Sequence, residues 1–134
     1  MIASVIAFNQ EVLGVQPKQQ VTKLSWDDMW FTMKALNEEK EEFAQAWNDN
    51  DTVGQVDALL DSIYFALGAL YKMGLSEQQI KETFDTVHLA NMGKRAGIST
   101  KRNEEVTDAV KPEDWVSPEY QIRRILWLDT EDPE

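Results

Sequence analysis

Four carboxylates on two neighbouring predicted helices are the residues of this chain that most clearly indicate chemistry. Glu39 and Glu42 lie in the run NEEKEEF, and Asp57 and Asp61 lie in the run VDALLDSIYFALG. Residues three or four apart share one face of a helix, so each pair presents its carboxylates together. Residues 48–71 contain no Lys, Arg or His. An ionised carboxylate among apolar neighbours is costly without a cation, and a hard divalent metal ion is the simplest one.

A second interpretation of the same residues remains open, in which the glutamates form a solvated face and the aspartates lie at a helix start, where acids are favoured. The metal interpretation requires the two helices to pack as an antiparallel pair through their apolar stripes, which would bring the four carboxylates together. The first predicted stripe contains Leu36, Phe43 and Trp47, and the second contains Val53, Val56, Leu60, Ile63, Leu67 and Leu70.

Residues typical of helix starts and ends divide the chain into segments that predict an all-α protein, a bundle of about five helices. Ser25 and Ser76 are typical residues before a helix, and Gly14 and Gly74 are typical residues after one. We see no alternation long enough to predict a sheet and no domain boundary, so residues 1–134 are predicted to form one domain. The predicted helices are residues 2–13, 26–48, 52–73, 77–97 and 119–128, with an irregular closing segment at 98–118 and a frayed acidic tail at 129–134.

Composition limits the possible partners. The chain has 134 residues, 43% of them hydrophobic, a net charge of −11 and no cysteine. The negative charge argues against a nucleic-acid polymer as partner, although it permits a nucleotide whose phosphates are carried by metal. The start lacks the basic region of a secretion signal, and no apolar run is expected to be long enough to span a bilayer. We therefore expect a cytoplasmic protein without a membrane partner.

Two acidic motifs resemble those of a known family. Glu38, Glu39 and Glu42 give EExxE, and a second acidic motif ends at Asp61. The arrangement is similar to that of the MazG-like all-α nucleoside triphosphate pyrophosphatases, which include phosphoribosyl-ATP pyrophosphohydrolase and the dimeric dUTPases. The resemblance covers roughly residues 5–120, including the segments VHLANMGK and KPEDW. The usual second motif is ExxD.

The chain departs from that second motif at one position. The residue three before Asp61 is Ala58, so Asp57, one turn before Asp61, would replace the missing glutamate with a shorter side chain. The resemblance implies Mg²⁺ as cofactor, with Mn²⁺ able to substitute, and Glu39, Glu42 and Asp61 as its ligands. Asp57 is expected as a fourth ligand, directly or through water.

The resemblance also implies hydrolysis of a (deoxy)nucleoside triphosphate between its α and β phosphates, giving a monophosphate and pyrophosphate. Glu38 is the candidate catalytic residue that orients or deprotonates the attacking water, and an exposed helix acid is its alternative interpretation. Asn91 and Lys94 of NMGK and Lys111 of KPEDW match substrate-binding positions of the family. The implied biological role is house-cleaning of the nucleotide pool.

Two other functions stay open. One is hydrolysis of phosphoribosyl-ATP in histidine synthesis, which uses the same carboxylates and a different substrate pocket. The other is a non-enzymatic acidic helical module that binds a partner or buffers metal. In either enzymatic case we expect a homodimer or homotetramer, because the long helices carry more apolar surface than one chain can cover and a second protomer would complete a four-helix core.

Overall fold

The computed structural model describes residues 1–98 and 107–127, which form two compact units, Met1–Glu77 and Gln78–Glu134. Within these residues five helices and one pair of short strands are present, so the predicted all-α class is confirmed. The single-domain prediction stays a prediction. The elements are α1 (Ile2–Glu11), α2 (Trp26–Asn48), α3 (Thr52–Lys72), α4 (Glu77–Met92), β1 (Arg95–Ile98), β2 (Thr107–Val110) and α5 (Glu119–Ile125).

Helices α2 and α3 form an antiparallel hairpin whose ends are set by local hydrogen bonds. The Ser25 hydroxyl accepts a hydrogen bond from the Asp28 N–H, as predicted for the start of α2. The Asp51 carboxylate accepts one from the Gly54 N–H at the start of α3. Between the helices Asn50 has a φ of 56°, a left-handed conformation that Asn tolerates better than most residues. Capping side chains of this kind stabilise a helix by about 1 kcal/mol each.

The hairpin is closed by small residues. A Cβ added to Gly54 would lie 3.1 Å from the Cβ of Ala46, so the two backbones approach closely near the turn. Further along, the Phe31 and Phe65 rings meet edge to face at 6.0 Å. Residue numbers therefore fall along α2 as they rise along α3. The buried residues of the two helices are Ala35, Glu39, Ala46, Ala58, Gly68 and Tyr71, of which Gly68 and Tyr71 face α1 and the segment after it.

The predicted packing through the large apolar stripes holds only in part, since Phe43, Leu67 and Leu70 are half-buried while the other stripe residues are exposed. Trp47 is 67% exposed, Val53 80% and Leu60 57%, and Leu36, Val56 and Ile63 are exposed as well. Alanine and glycine let the helices come closer than leucine or valine would, so the narrow face of small residues meets the partner helix. The broad stripe of large residues consequently lies on the surface of this chain.

Helix α1 packs against α3 through a polar contact. Asn9 is buried, and its side-chain amide donates a hydrogen bond to the Val5 carbonyl one turn earlier. Gly68 of α3 faces it, where an added Cβ would lie 3.3 Å from the amide nitrogen. One turn further along α3, the Tyr71 hydroxyl donates to the Val15 carbonyl and accepts from the Gln10 amide. These contacts tie the segment after α1 to the end of α3.

Helix α3 ends as predicted next to Gly74. This glycine has a φ of 104°, and a Cβ at this position would collide with the backbone carbonyl oxygen of Gln20. The Thr22 N–H donates a 2.8 Å hydrogen bond to the Met73 carbonyl in the same place. The chain between α1 and α2 is thus held against the end of α3 by backbone contacts.

Helix α3 also has the length and composition of a membrane span. It has 21 residues, and its most apolar 18-residue window has a mean hydropathy of 1.3, so the expectation that no run is long enough is wrong for Thr52–Lys72. A core helix of a globular protein passes the same test, and this helix packs along α2 and carries Asp57 and Asp61. The absence of a membrane partner stays a prediction.

The second unit contains a short antiparallel sheet that the sequence analysis did not predict. Strand β1 pairs with β2 in a register that places Arg95 opposite Val110 and Ile98 opposite Thr107. Each strand has four residues, too few for alternation to stand out from the sequence. The helix predicted to fade at Gly97 ends at Met92, and α5 ends at Ile125. The predicted tail at 129–134 lies outside the described residues.

The Tyr71 hydroxyl provides a test of the contact between the α1 segment and α3. We expect Tyr71→Phe to lower the free energy of unfolding by about 1–2 kcal/mol, because the buried ring stays while the Val15 carbonyl loses its donor. Urea denaturation measures the change. Tyr64→Phe is the matched control: its ring also contacts α1 at Phe8, and its hydroxyl makes no hydrogen bond within the described residues. Equal stability of the two variants would contradict this assignment.

Candidate metal centre

Glu39 is the centre of the acidic cluster, a name used here for Glu39, Glu42, Asp57 and Asp61. It is 8% exposed, and its Oε1 is the one buried side-chain N or O atom without a hydrogen-bond partner among the described residues. The sequence analysis left open that it belongs to a solvated helix face. Because α2 and α3 meet through small residues, the position four after the buried Ala35 falls inside the interface instead.

The hairpin register brings the two acidic motifs together. Gly54 and Ala46 mark one level of the hairpin, as their close approach shows. Glu39 lies seven residues before Ala46, and Asp61 lies seven residues after Gly54, so both are two helical turns from that level. Glu39 and Asp61 therefore lie at the same height on facing helices.

Electrostatics agree with this placement. Burial raises the pKa of the Glu39 carboxyl above its ordinary value of 4.5, and repulsion from Glu42, Asp61, Asp57 and Glu38, in that order, raises it further. All four acids predicted to bind metal are thus close enough to interact, and Glu38 interacts with them too. Asp61 is half-buried, whereas Glu38, Glu42 and Asp57 are exposed.

Within residues 1–98 and 107–127, no Lys, Arg or His forms an ion pair with this cluster. An ion pair joins Lys72 to Asp28 at 3.9 Å, and it involves no residue of the acidic cluster. A buried carboxylate oxygen without donor or cation is unfavourable, and a divalent ion would satisfy it. Carboxylate oxygens are the ligands that Mg²⁺ and Mn²⁺ prefer, so the residues present fit such an ion.

The cluster is nevertheless not closed into a ligand set. Within the part of the chain that the structure describes, no group of three or more Asp, Glu, His or Cys side chains is already arranged to hold a metal ion. The helices bring the four carboxylates into one neighbourhood. Direct coordination of one ion would require at least three of these carboxylates to come closer together.

The predicted substrate-binding lysines meet in the second unit. The Lys94 and Lys111 ammonium groups lie 5.3 and 4.9 Å from the centre of the Trp115 ring, within cation–π distance. The Trp115 indole N–H donates a 2.6 Å hydrogen bond to the Ala90 carbonyl, which fixes the ring against α4. We call Lys94 and Lys111 the lysine pair. Asn91 lies exposed in the last turn of α4, and its backbone carbonyl accepts a 3.0 Å hydrogen bond from the Lys94 N–H.

Trp115 is the organising residue that the sequence analysis did not assign. In the fold, two ammonium groups lie over its ring. The spacing of Lys111 and Trp115, four residues apart in KPEDW, was the available signal. The turn that brings them together closes with a 3.1 Å hydrogen bond from the Trp115 N–H to the Pro112 carbonyl. Two ammonium groups on one ring form a positive site in a strongly acidic chain.

A comparison with protein families decides the relationship. The sequence model described as phosphoribosyl-ATP pyrophosphohydrolase matches residues 10–91, more than half of the chain. The chain belongs to the phosphoribosyl-ATP pyrophosphohydrolase family. This family is part of the MazG-like superfamily, so the resemblance found in the sequence is confirmed. No curated protein matches the chain.

The matched region of this family member includes Glu38, all of the acidic cluster and Asn91, and it ends before Lys94. Membership indicates a nucleotide pyrophosphohydrolase, a hydrolase that acts on acid anhydrides. The β1–β2 pair, Trp115 and Lys111 lie beyond the match. The acidic hairpin is therefore the part of the chain that the family shares, and the lysine pair lies in a part that the match does not describe.

The position of Glu39 predicts an unusual effect of removing a charge. We expect Glu39→Gln to raise the free energy of unfolding of the metal-free protein at neutral pH. A folded-state pKa above the unfolded value favours folding fully at low pH, and this contribution is lost as pH rises through the folded pKa. The advantage of the variant should thus grow as the pH rises above 4.5 and level off once the pH exceeds the folded-state pKa, as measured by urea denaturation with a chelator present.

Glu41→Gln is the matched control for this experiment. Glu41 lies on the same helix, is exposed, and has a carboxylate that accepts a long hydrogen bond from the Asn37 amide. Its replacement should leave stability nearly unchanged at every pH. A Glu39→Gln variant that is less stable than the wild type at neutral pH would show that the carboxylate has a stabilising partner.

Proposed function

We propose that this protein is a metal-dependent nucleoside triphosphate pyrophosphohydrolase that cleaves between the α and β phosphates. The observation that carries the proposal is the buried, unpartnered Glu39 carboxylate beside three further acids on a family-matched hairpin. Four carboxylates repel a polyphosphate unless cations lie between them. A function that combines these acids with an anionic substrate therefore calls for metal.

We assign Glu39, Glu42 and Asp61 as ligands of Mg²⁺, with Mn²⁺ as a substitute and Asp57 as a fourth ligand. When bound, such an ion supplies the positive charge that offsets both the carboxylates and the phosphates. The assignment is supported by the common level of Glu39 and Asp61 and by the absence of an ion pair to the acidic cluster in the described residues. Asp57 has a shorter side chain than the glutamate that the family pattern would place at Ala58, so it suits contact through water.

Glu38 is assigned to the attacking water. Its side chain is exposed and interacts electrostatically with Glu39, so it lies beside the proposed ligands while remaining accessible. A carboxylate in this position can accept the proton that water loses as its oxygen bonds to the α phosphorus. The bond from that phosphorus to the bridging oxygen breaks, and pyrophosphate leaves with the electron pair.

The lysine pair is assigned to phosphate binding. Lys94 and Lys111 form no ion pair within residues 1–98 and 107–127, and both lie on the Trp115 ring. An ammonium group over an aromatic ring keeps its remaining donors directed outward, which suits an anion with several oxygens. Asn91, exposed one turn before Lys94, can donate to and accept from a sugar or base.

A second substrate is favoured by one observation. The family description names phosphoribosyl-ATP, so that nucleotide is the alternative to a (deoxy)nucleoside triphosphate. Both substrates require cleavage of the same phosphoanhydride bond, and both leave pyrophosphate. We place the triphosphate first, with nucleotide-pool house-cleaning as the role, because the compact acidic hairpin resembles the single-domain triphosphate enzymes.

Hydrolysis with a panel of nucleotides tests the function. In the presence of Mg²⁺ or Mn²⁺ we expect monophosphate and pyrophosphate as products, and a chelator should stop the reaction. Glu42→Gln and Asp61→Asn should each lower turnover by about a hundredfold or more while preserving the circular dichroism spectrum, since each keeps size and deletes charge. Mg²⁺ should also raise the melting temperature of the wild type more than that of either variant.

Glu41→Gln, an exposed neighbour of Glu42 on α2, is the matched control and should keep full turnover. Release of diphosphate and orthophosphate would contradict the assigned bond. Full turnover by both ligand variants at saturating Mg²⁺ would contradict the ligand assignment. Binding of Mg²⁺ without hydrolysis of any nucleotide, phosphoribosyl-ATP included, would favour the non-enzymatic acidic module.

We further propose that the working unit is a homodimer or a dimer of dimers. The exposed stripe of α3, which includes Val53, Val56, Leu60 and Ile63, supports this proposal, because a contiguous apolar helix face usually meets a partner. A second copy would cover the stripe and complete a four-helix core.

Light scattering after size exclusion tests the assembly. We expect a mass of at least twice the 15.4 kDa of one chain. Leu60→Lys should shift the mass towards that of the monomer, because it places a charge in the stripe that the second copy would bury. Glu82→Lys, an exposed charge change on α4, serves as control. An active wild-type monomer at every concentration would refute the proposed assembly.

A further inference from the structure

The β1–β2 register places two lysines opposite each other at one end of the strand pair. Arg95 pairs with Val110 at that end, and the next step of the same antiparallel register is the lysine pair, Lys94 and Lys111. Like charges directly opposite each other destabilise a strand pair. Neither lysine forms an ion pair within residues 1–98 and 107–127. An attractive contact of another kind is therefore needed to keep the two ammonium groups together.

The Trp115 ring supplies that contact. The ammonium groups of Lys94 and Lys111 lie 5.3 and 4.9 Å from the centre of this one ring. Each is attracted to the electron-rich face of the indole, which is the best aromatic partner for a cation. Because both distances end at the same point, the separation of the two nitrogen atoms cannot exceed their sum. The ring thus gathers two positive charges into one site.

The Trp115 ring is itself fixed in place. Its indole N–H donates a 2.6 Å hydrogen bond to the Ala90 carbonyl near the end of α4. Its backbone N–H donates a 3.1 Å hydrogen bond to the Pro112 carbonyl. Gly93 lies against the edge of the ring, since a Cβ added there would be 3.5 Å from Cδ1 of Trp115. The ring therefore joins the two segments that carry the lysine pair.

The lysine pair has the charge and the donors for more than one phosphate. An ammonium group has three N–H donors and no acceptor, and the donors turned away from the ring remain for a ligand. Two adjacent phosphates can each accept from one lysine, whereas a single phosphate brings less charge and fewer oxygens to the same two groups. The net charge of −11 disfavours a nucleic-acid polymer, so a small and highly charged anion suits this site best.

We propose that Trp115 is a positioning residue, which draws the two ammonium groups of the lysine pair over one ring and makes them a single site for two adjacent phosphates. In the substrate these are the β and γ phosphates, which leave as pyrophosphate. That identity of the ligand rests on the function proposed above. The site itself is formed entirely by residues of the second unit.

Binding of inorganic pyrophosphate to the metal-free protein tests the site without hydrolysis. The acidic cluster repels the anion when no metal is bound, so calorimetric titration at low salt reports the lysine pair. We expect pyrophosphate to bind about tenfold or more tightly than inorganic phosphate. Lys94→Gln and Lys111→Gln should each weaken pyrophosphate binding about tenfold or more, because each removes a charged donor.

Arg95→Gln is the matched control for the two lysine variants. It removes the same charge from the residue next to Lys94. Arg95 is exposed, and the cations seen over the Trp115 ring among the described residues are the two lysines. Its replacement should therefore weaken pyrophosphate binding much less than either lysine variant does.

Variants of Trp115 test the positioning role. Trp115→Leu removes both cation–π attractions and should weaken pyrophosphate binding about tenfold, whereas Trp115→Phe keeps a ring and should recover part of the affinity. In nucleotide hydrolysis, Trp115→Leu should raise KM more than it lowers kcat, because the lost contact holds substrate and transition state alike. Tyr120→Leu is the control, since it removes a ring 5.9 Å from Arg124 in the same unit and should leave pyrophosphate affinity unchanged.

The NMR signal of the Trp115 indole N–H gives a measurement on the wild type that requires no stable Trp115→Leu variant. Its loss in Trp115→Phe identifies the signal. We expect it to shift as pyrophosphate binds, with the same affinity as in the calorimetric titration. Circular dichroism of each variant separates a lost anion site from a lost fold.

The outcomes distinguish this proposal from the one on which it rests. Pyrophosphate binding that depends on Trp115 and both lysines, in a protein that hydrolyses no nucleotide, would support the site and contradict the enzymatic function. Hydrolysis by Trp115→Leu with unchanged KM would overturn the positioning role and leave the enzymatic function standing. Equal losses in Lys111→Gln and Arg95→Gln would reveal a diffuse attraction and overturn the site.

Two further results would count against the proposal. Equal binding of phosphate and pyrophosphate would overturn the selection of two adjacent phosphates. A Trp115 signal that does not move at saturating pyrophosphate would overturn the role of the ring.

Discussion

The close approach of α2 and α3 is the constraint on which the rest of the first unit depends. Because Ala46 and Gly54 allow the two backbones to come together, Glu39 is enclosed between the helices, where its Oε1 has no hydrogen-bond donor and its carboxylate no ion pair among the described residues. The same approach leaves the large apolar residues of α3 uncovered. The burial of Glu39 and the exposure of the hydrophobic stripe of α3 thus both result from the close packing of α2 against α3.

Much of the fold was accessible from the sequence, because helix boundaries depend on local chemistry. Ser25, Asn50 and Gly74 have roles at helix ends that residue type alone suggests, and the hairpin turn lies where polar residues cluster. The faces through which α2 and α3 pack could not be predicted from such local chemistry. Hydrophobicity favoured the stripe with Val53 and Leu60, whereas the contact is decided by how near two backbones can come. The β1–β2 pair was not predicted for another reason: a strand of four residues is too short to show alternation of polar and apolar residues.

The candidate site shows the same division between local and distant information. Spacing along each helix correctly grouped Glu39 with Glu42 and Asp57 with Asp61, and the hairpin register brought the two groups together. Nothing in the spacing indicated that Glu39 would be buried while Glu42 stays exposed. The lysine pair was assigned through family resemblance. Only the fold shows that both ammonium groups lie over the Trp115 ring, because Lys94 and Lys111 are distant in sequence.

The length of the turn at residues 49–51 determines whether the two acidic motifs face each other. Glu39 and Asp61 share a level because seven residues separate each from the close approach of the hairpin at Ala46 and Gly54. One residue inserted before Gly54 without a compensating change would advance α3 by about 1.5 Å and rotate it by about 100°. Asp61 would then leave the interface even though every acid was retained. The loop length is therefore as much a part of the motif as the acids, and a pattern written only as residue types would miss it.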